Sequence, residues 1–132
     1  MKIIADTNVL LRMLLADDDV QGPIAKRAMA QADSVVISIH TLCELAWVLR
    51  RNQAMPRPDI GVAFRAAIGT SNVLVDRPAV EAGLAMLDAG GDFADGVIAY
   101  DGRRLGGETF VTFDKRAVDR LARQGVDARL LA

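Results

Sequence analysis

Five acidic residues in this 132-residue chain stand where carboxylates can do chemistry. Asp6 follows an apolar run in IIADTN, and Glu44 interrupts one in TLCELAWVL. Asp92 and Asp95 fall between two glycines and a second apolar run in GGDFADGVIAYD, and Asp114 closes TFVTFD. Carboxylates gathered in one cleft repel each other, and without compensation at least one takes up a proton near neutral pH. A divalent cation removes that conflict. The chain holds one histidine, His40, and one cysteine, Cys43, so the donors on offer are hard oxygens, which suit Mg²⁺ or Mn²⁺ and not zinc. Such ions held by acids fit phosphodiester hydrolysis, because they activate water, neutralise non-bridging oxygens and stabilise the leaving oxygen.

What must position these acids is a set of short strands alternating with longer amphipathic segments. Runs rich in Val and Ile at residues 2–5, 35–38, 72–75 and 109–112, with a weaker one at 128–131, are expected to be strands. None alternates cleanly between polar and apolar, which predicts strands buried on both faces, as in a parallel sheet covered by helices. Helices are expected over residues 8–15, 23–31, 41–52, 59–68, 78–89, 93–105 and 115–124. Their boundary signals include Pro23, an Asp59 cap after Pro58, Pro78, and the stop at Gly106 and Gly107. Strand, helix, strand, helix is the order of an α/β fold with crossover connections. Ligands in such sheets collect outside the carboxyl ends of the strands, where Asp6, Glu44, Asp92, Asp95 and Asp114 are all expected.

Composition bounds the rest. The length suits one domain over residues 1–132, and 52% hydrophobic residues with few aromatics suit a core of small aliphatic side chains. A net charge of -1 lacks the overall basic excess common among nucleic-acid binders, although Arg50–Arg51 and Arg103–Arg104 remain local candidates for phosphate contact. One cysteine excludes a disulfide framework, and the expected compartment is the reducing cytoplasm. The opening MKIIADTNVLLRMLL is not expected to be a signal peptide, because Asp6, Asn8 and Arg12 interrupt it, and no run is long enough to span a membrane.

Plainer roles compete for the same residues. Asp92 would serve as N-cap of a helix starting near Phe93, with Asp95 in the first turn, both favoured by the helix dipole. Glu44, flanked by Leu42, Cys43, Leu45 and Ala46, is expected to be buried and to need a compensating charge, unless it faces solvent on an amphipathic helix. His40 is expected to be an ordinary loop residue, and Trp47 a core residue.

Taken together, MKIIADTNVLLRMLL, TLCELAWVL, GGDFADGVIA and TFVTFD, in this order over nearly the whole chain, resemble PIN-domain ribonucleases of the VapC type, the toxins of prokaryotic toxin–antitoxin pairs. No single one of these motifs is specific; the set is strong. The resemblance implies a three-layer α/β/α sandwich with a central, mainly parallel sheet of five strands. It also implies an Mg²⁺-dependent endoribonuclease and inhibition by a cognate antitoxin that presents an Arg to the carboxylates. It matches Asp6, Glu44, Asp95 and Asp114 to the four catalytic and metal-binding acids. Asn8 and Thr112 match polar positions supporting the first and fourth, and Asp92 an additional acid that acts through water or only caps the helix. Homodimers are usual in such toxins, and residues 46–68, with Pro56 at the turn, are the expected surface.

Two other readings stand beside it. An aspartyl-nucleophile phosphatase would want a second Asp two residues after Asp6, where this chain has Asn8. A catalytically idle protein-binding domain would be expected to lose Asp6 or Glu44, and both are present.

Overall fold

Val and Ile favour the pleated conformation, and the chain enters its first strand almost at once. In the computed structural model, which describes residues 1–132, the chain forms five strands and seven helices. It divides into two compact units, Met1–Asp76 and Arg77–Ala132.

The first unit holds β1 (Lys2–Ile4), α1 (Thr7–Leu15), α2 (Gln21–Gln31), β2 (Ser34–Val36), α3 (Ile39–Arg51), α4 (Arg57–Ile68) and β3 (Val73–Leu74). Its three strands pair in parallel in the order β1-β2-β3, with Ile3 opposite Val35 and Val35 opposite Val73. Parallel neighbours need crossovers, which the helical pairs α1–α2 and α3–α4 supply. Leu10, Leu42, Leu45, Leu49, Ile60 and Phe64 are buried in this unit with Val35 and Val73. Asn72 ties the end of α2 to the start of β3, its Nδ2 donating to the carbonyls of Met29 (3.0 Å) and Ala32 (3.1 Å), which a helix end leaves without partners.

Two expectations are corrected here. The strands are not buried on both faces: the row Ile4, Val36 and Leu74 is 80%, 38% and 55% exposed. Successive strand side chains point to opposite faces, and the helices cover only the row that contains Val35. Nor does Asp59 cap α4, which begins at Arg57 after Pro56 and leaves Asp59 inside the first turn. Pro58 suits that turn, since its fixed φ is helical and its missing N–H would have no partner there.

The second unit holds α5 (Arg77–Asp88), α6 (Phe93–Arg104), β4 (Phe110–Thr112), α7 (Lys115–Arg123) and β5 (Ala128–Leu130). β4 and β5 pair in parallel around the α7 crossover, with Phe110 opposite Ala128 and Thr112 opposite Leu130. Met86, Ala99, Ala117 and Leu121 form its buried cluster, with Phe110, Val126 and Ala128 packed against it. The helical hairpin α5–α6 is closed by a turn at Gly90 and Gly91, and its close approach depends on Gly96. A Cβ there would stand 2.4 Å from the Ala82 carbonyl oxygen. This contact fixes how far α6, with Asp95 in its first turn, stands from α5.

The architecture is therefore α/β with parallel strands, but the strands lie in a three-stranded and a two-stranded sheet and not in one sheet of five. Each sheet is built from strands joined by helical crossovers, whereas between β3 and β4 the chain inserts the α5–α6 hairpin. No helix is long and apolar enough to cross a membrane.

Candidate functional site

In the second unit, Asp92 and Asp114 lie near enough to Asp95 for their charges to act on its carboxyl. Asp92 ends the α5–α6 turn, Asp95 lies in the first turn of α6, and Asp114 stands at the N-cap of α7. Asp95 is half-buried. Its carboxyl is pushed above the ordinary range first by that burial, then by the charges of Asp92 and Asp114, while Arg120 on α7 pulls the other way.

Asp92 does not cap α6. It has the extended backbone of an N-cap residue, yet its side chain accepts no hydrogen bond from the helix, and the carboxylate is exposed. Asp114 does what Asp92 was expected to do: its Oδ1 accepts from the backbone N–H of Arg116 (2.9 Å) and Ala117 (3.4 Å). Its own backbone N–H donates to Thr112 Oγ1 at 3.0 Å, so Thr112 fixes the turn that carries the acid.

In the first unit, Asp6 is likewise an N-cap, with Oδ1 accepting from Val9 N–H at 2.9 Å at the head of α1. Two of the chain's acids thus sit on helix N-termini through one oxygen, and the other oxygen has no hydrogen bond within the protein. Asn8 is exposed, and its side chain makes no hydrogen bond to Asp6. Glu44 is exposed on α3, not buried as its apolar neighbours suggest. Helical periodicity explains this: Leu42, Leu45, Ala46 and Leu49 share the buried stripe, and Glu44 falls off it. It therefore needs no partner to compensate burial. Ser38 Oγ caps α3 by accepting from His40 N–H at 3.2 Å and also contacts His40 Nδ1 at 3.1 Å, which occupies the histidine locally.

No group of three His, Cys, Asp or Glu side chains stands close enough together to hold a metal ion. The donor chemistry nevertheless fits a hard divalent cation. Asp92, Asp95 and Asp114 act on one another electrostatically with no histidine or thiol among them, and Asp92 and Asp114 each keep carboxylate oxygens free of the protein. Sequence reasoning missed Arg120, which resembles any exposed helical arginine in KRAVDRLAR. It also missed the caps at Asp6 and Asp114, although an Asp directly before an amphipathic segment is a helix-start signal.

Comparison with known families finds that the model of the PIN domain matches residues 3–124. Among solved structures, the VapC20 toxin of Mycobacterium tuberculosis, described as cleaving the sarcin-ricin loop, is similar. It shares 20% identity over 96% of this chain and 96% of its own, with a TM-score of 0.44. No curated protein matches the chain.

The raised Asp95 carboxyl sets a pH dependence of stability. Between the ordinary carboxylate value and the raised one, the folded chain keeps a proton that the unfolded chain has lost. The contribution of Asp95 is thus fully present below the ordinary value and is lost as pH rises through the folded one. Without metal, Asp95→Asn is expected to unfold at a higher temperature than the parent at pH 7, the difference shrinking toward pH 4. A variant less stable than the parent at pH 7 would contradict the crowding of these charges.

Proposed function

The chain belongs to the PIN domain family, and from that premise we propose that it is a divalent-metal-dependent endoribonuclease, the toxin of a type II toxin–antitoxin pair of the VapC kind. The observation that carries the reading is the PIN-domain match over residues 3–124, and beside it stands the half-buried Asp95, on which the charges of Asp92 and Asp114 act with no histidine or thiol among them.

Asp6, Glu44, Asp95 and Asp114 are assigned to hold Mg²⁺, or Mn²⁺ in its place. When bound, the cation supplies an activated water and neutralises charge on the scissile phosphate. The protein's own share is to present the oxygens. Asp6 and Asp114 each hold one oxygen against a helix N-terminus and turn the other outward, a pre-set orientation that costs little to keep when a substrate arrives. Thr112 holds the Asp114 turn, Asn8 stands two residues beyond Asp6 in the first turn of α1, and Asp92, released from capping, is available to act through water. A polyanion can approach this acidic set only once a cation is bound, which makes cleavage dependent on metal twice over.

Family membership also supports one nuclease domain over residues 1–132. The substrate is RNA, and the partner is a cognate antitoxin that offers an arginine to the acids. The setting is the cytoplasm, where the one free thiol, Cys43, stays reduced. For the homodimer, α3 and α4 offer Trp47 and Val62, 57% and 68% exposed, as apolar anchors. Light scattering at micromolar concentration is expected to give twice the chain mass, and a monomer would remove this surface.

Purified chain, freed of any partner, is expected to cut total cellular RNA into discrete fragments with Mg²⁺ and to leave it intact in EDTA. Asp6→Asn and Asp95→Asn are expected to lose activity by about 100-fold or more, the scale of a lost electrostatic contact to the transition state, while Asp92→Asn keeps most of it. RNA that stays intact with Mg²⁺ in every preparation, or fragments that persist in EDTA, would contradict the assignment.

A further inference from the structure

The phenylalanines are divided between core and solvent. Phe64 and Phe93 are buried and Phe110 packs against the Met86 cluster, whereas Phe113 is 80% exposed. It stands between Thr112 and Asp114, in the turn that leads from β4 into α7. Both neighbours are tied down. The Thr112 carbonyl accepts from Leu131 N–H at 2.7 Å, its hydroxyl accepts from Asp114 N–H at 3.0 Å, and Asp114 caps α7. The ring is held out to solvent on fixed backbone, so covering it costs little conformational entropy. The residues around it are charged. Asp114, Lys115 and Arg116 follow it and are all exposed, and the dipole of α7 opposes the two cations at its start, so helix stability does not explain them. Strand alternation turns Phe110 and Ala128 toward the cluster and leaves Val111 on the other face, where it lies opposite the exposed Arg129.

We propose that Phe113 is a substrate-binding residue, a platform on which one unpaired base of the RNA stacks beside the nucleotide that meets Asp114. The inference deepens the ribonuclease reading and rests on it for the role of Asp114. A protein partner would want apolar neighbours around an aromatic anchor, because charged residues are depleted at the centre of such interfaces. Single-stranded nucleic acid wants the mixture present around Phe113, a flat apolar face for a base and cations such as Lys115, Arg116 and Arg129 for phosphates. Every base has a π-face, so the platform selects unpaired over paired RNA and does not choose one base over another. Phe113 and Asp114 are adjacent in the chain, which puts the stacked base close to the cut.

The test is fluorescence anisotropy of the full chain with two short labelled probes, a single-stranded uridine oligomer and the same ribose-phosphate chain without bases. Ca²⁺ replaces Mg²⁺, since it takes oxygen ligands without the strict octahedral geometry of Mg²⁺. Phe113→Leu keeps an apolar side chain and removes the π-face, and Phe113→Trp enlarges that face. The parent is expected to prefer the base-bearing probe by about tenfold, the scale of one base stacked on an aromatic ring. Phe113→Leu is expected to lose most of that preference at an unchanged melting temperature, and Phe113→Trp to keep or raise it. On RNA that the chain cuts, Phe113→Leu is expected to raise KM with little change in kcat, and a loss confined to kcat would contradict a binding role. Equal binding of both probes by the parent and Phe113→Leu overturns the proposal and leaves the ring to a protein partner. A Phe113→Leu variant that is unfolded, or less stable and weaker toward both probes alike, makes Phe113 a packing residue and also overturns it. Base-dependent binding through Phe113 without cleavage of total RNA supports the platform and removes the ribonuclease reading.

Discussion

Carboxylates cannot be crowded without something to oppose their charge, and much of the local structure around the acids answers that constraint. Three answers are visible. Asp114 gives one oxygen to a helix N-terminus, where backbone N–H groups and the dipole favour negative charge, and in the first unit Asp6 does the same. Asp95 takes a raised affinity for a proton. Arg120 brings a fixed positive charge over the turn that precedes Asp92. In the proposed function a divalent cation is the fourth answer, and the one that would convert the gathered charge into chemistry.

The packing that serves this constraint is made of small residues. Gly96 allows α6 to approach the Ala82 carbonyl on α5, which sets the height of the helix start that bears Asp95. Gly90 and Gly91 leave the turn bare so that the Arg120 stem can cross it. The buried side of α6 is Phe93, Val97 and Ala99, the first of them under Gly83, so the helix is pinned by a large side chain near the acids and by small ones farther along. A Cβ at Gly96 would stand 2.4 Å from the Ala82 carbonyl oxygen, so α6, and Asp95 with it, would have to shift.

Much of the element order is legible in the sequence because the apolar periodicities are strong. The TLCELAWVL segment is helical within Ile39–Arg51, four of the five expected strand runs contain a strand, and the fifth, 35–38, overlaps β2, which begins one residue earlier at Ser34. What is not legible depends on direction in space. Nothing in the string TLCELAWVL tells a buried Glu44 from an exposed one until its phase on the helix is set by the Leu42, Leu45 and Leu49 stripe. GGDFAD shows a capping acid at the expected position, but the backbone places Asp92 there without its bond, whereas the cap at Asp114 is made. Arg120 is invisible for another reason: its neighbours Gly90 and Gly91 are remote in sequence, and only the crossover of α7 brings them together. The pairing of strands is beyond the sequence too, because a two- or three-residue strand such as Val73–Leu74 carries little register information of its own.

The central proposal is that Asp6, Glu44, Asp95 and Asp114 share a divalent cation. Titrating Mn²⁺ into isotope-labelled protein and following paramagnetic broadening of the backbone resonances measures this directly, since the effect falls off steeply with distance from the ion. Broadening of Asp6, Glu44, Asp95 and Asp114 at the same low ratio of metal to protein, with Ala54 and Gly125 spared, is the expected result. Broadening confined to Asp92, Asp95 and Asp114, or spread evenly over exposed acids such as Asp19 and Asp59, would contradict a shared ion.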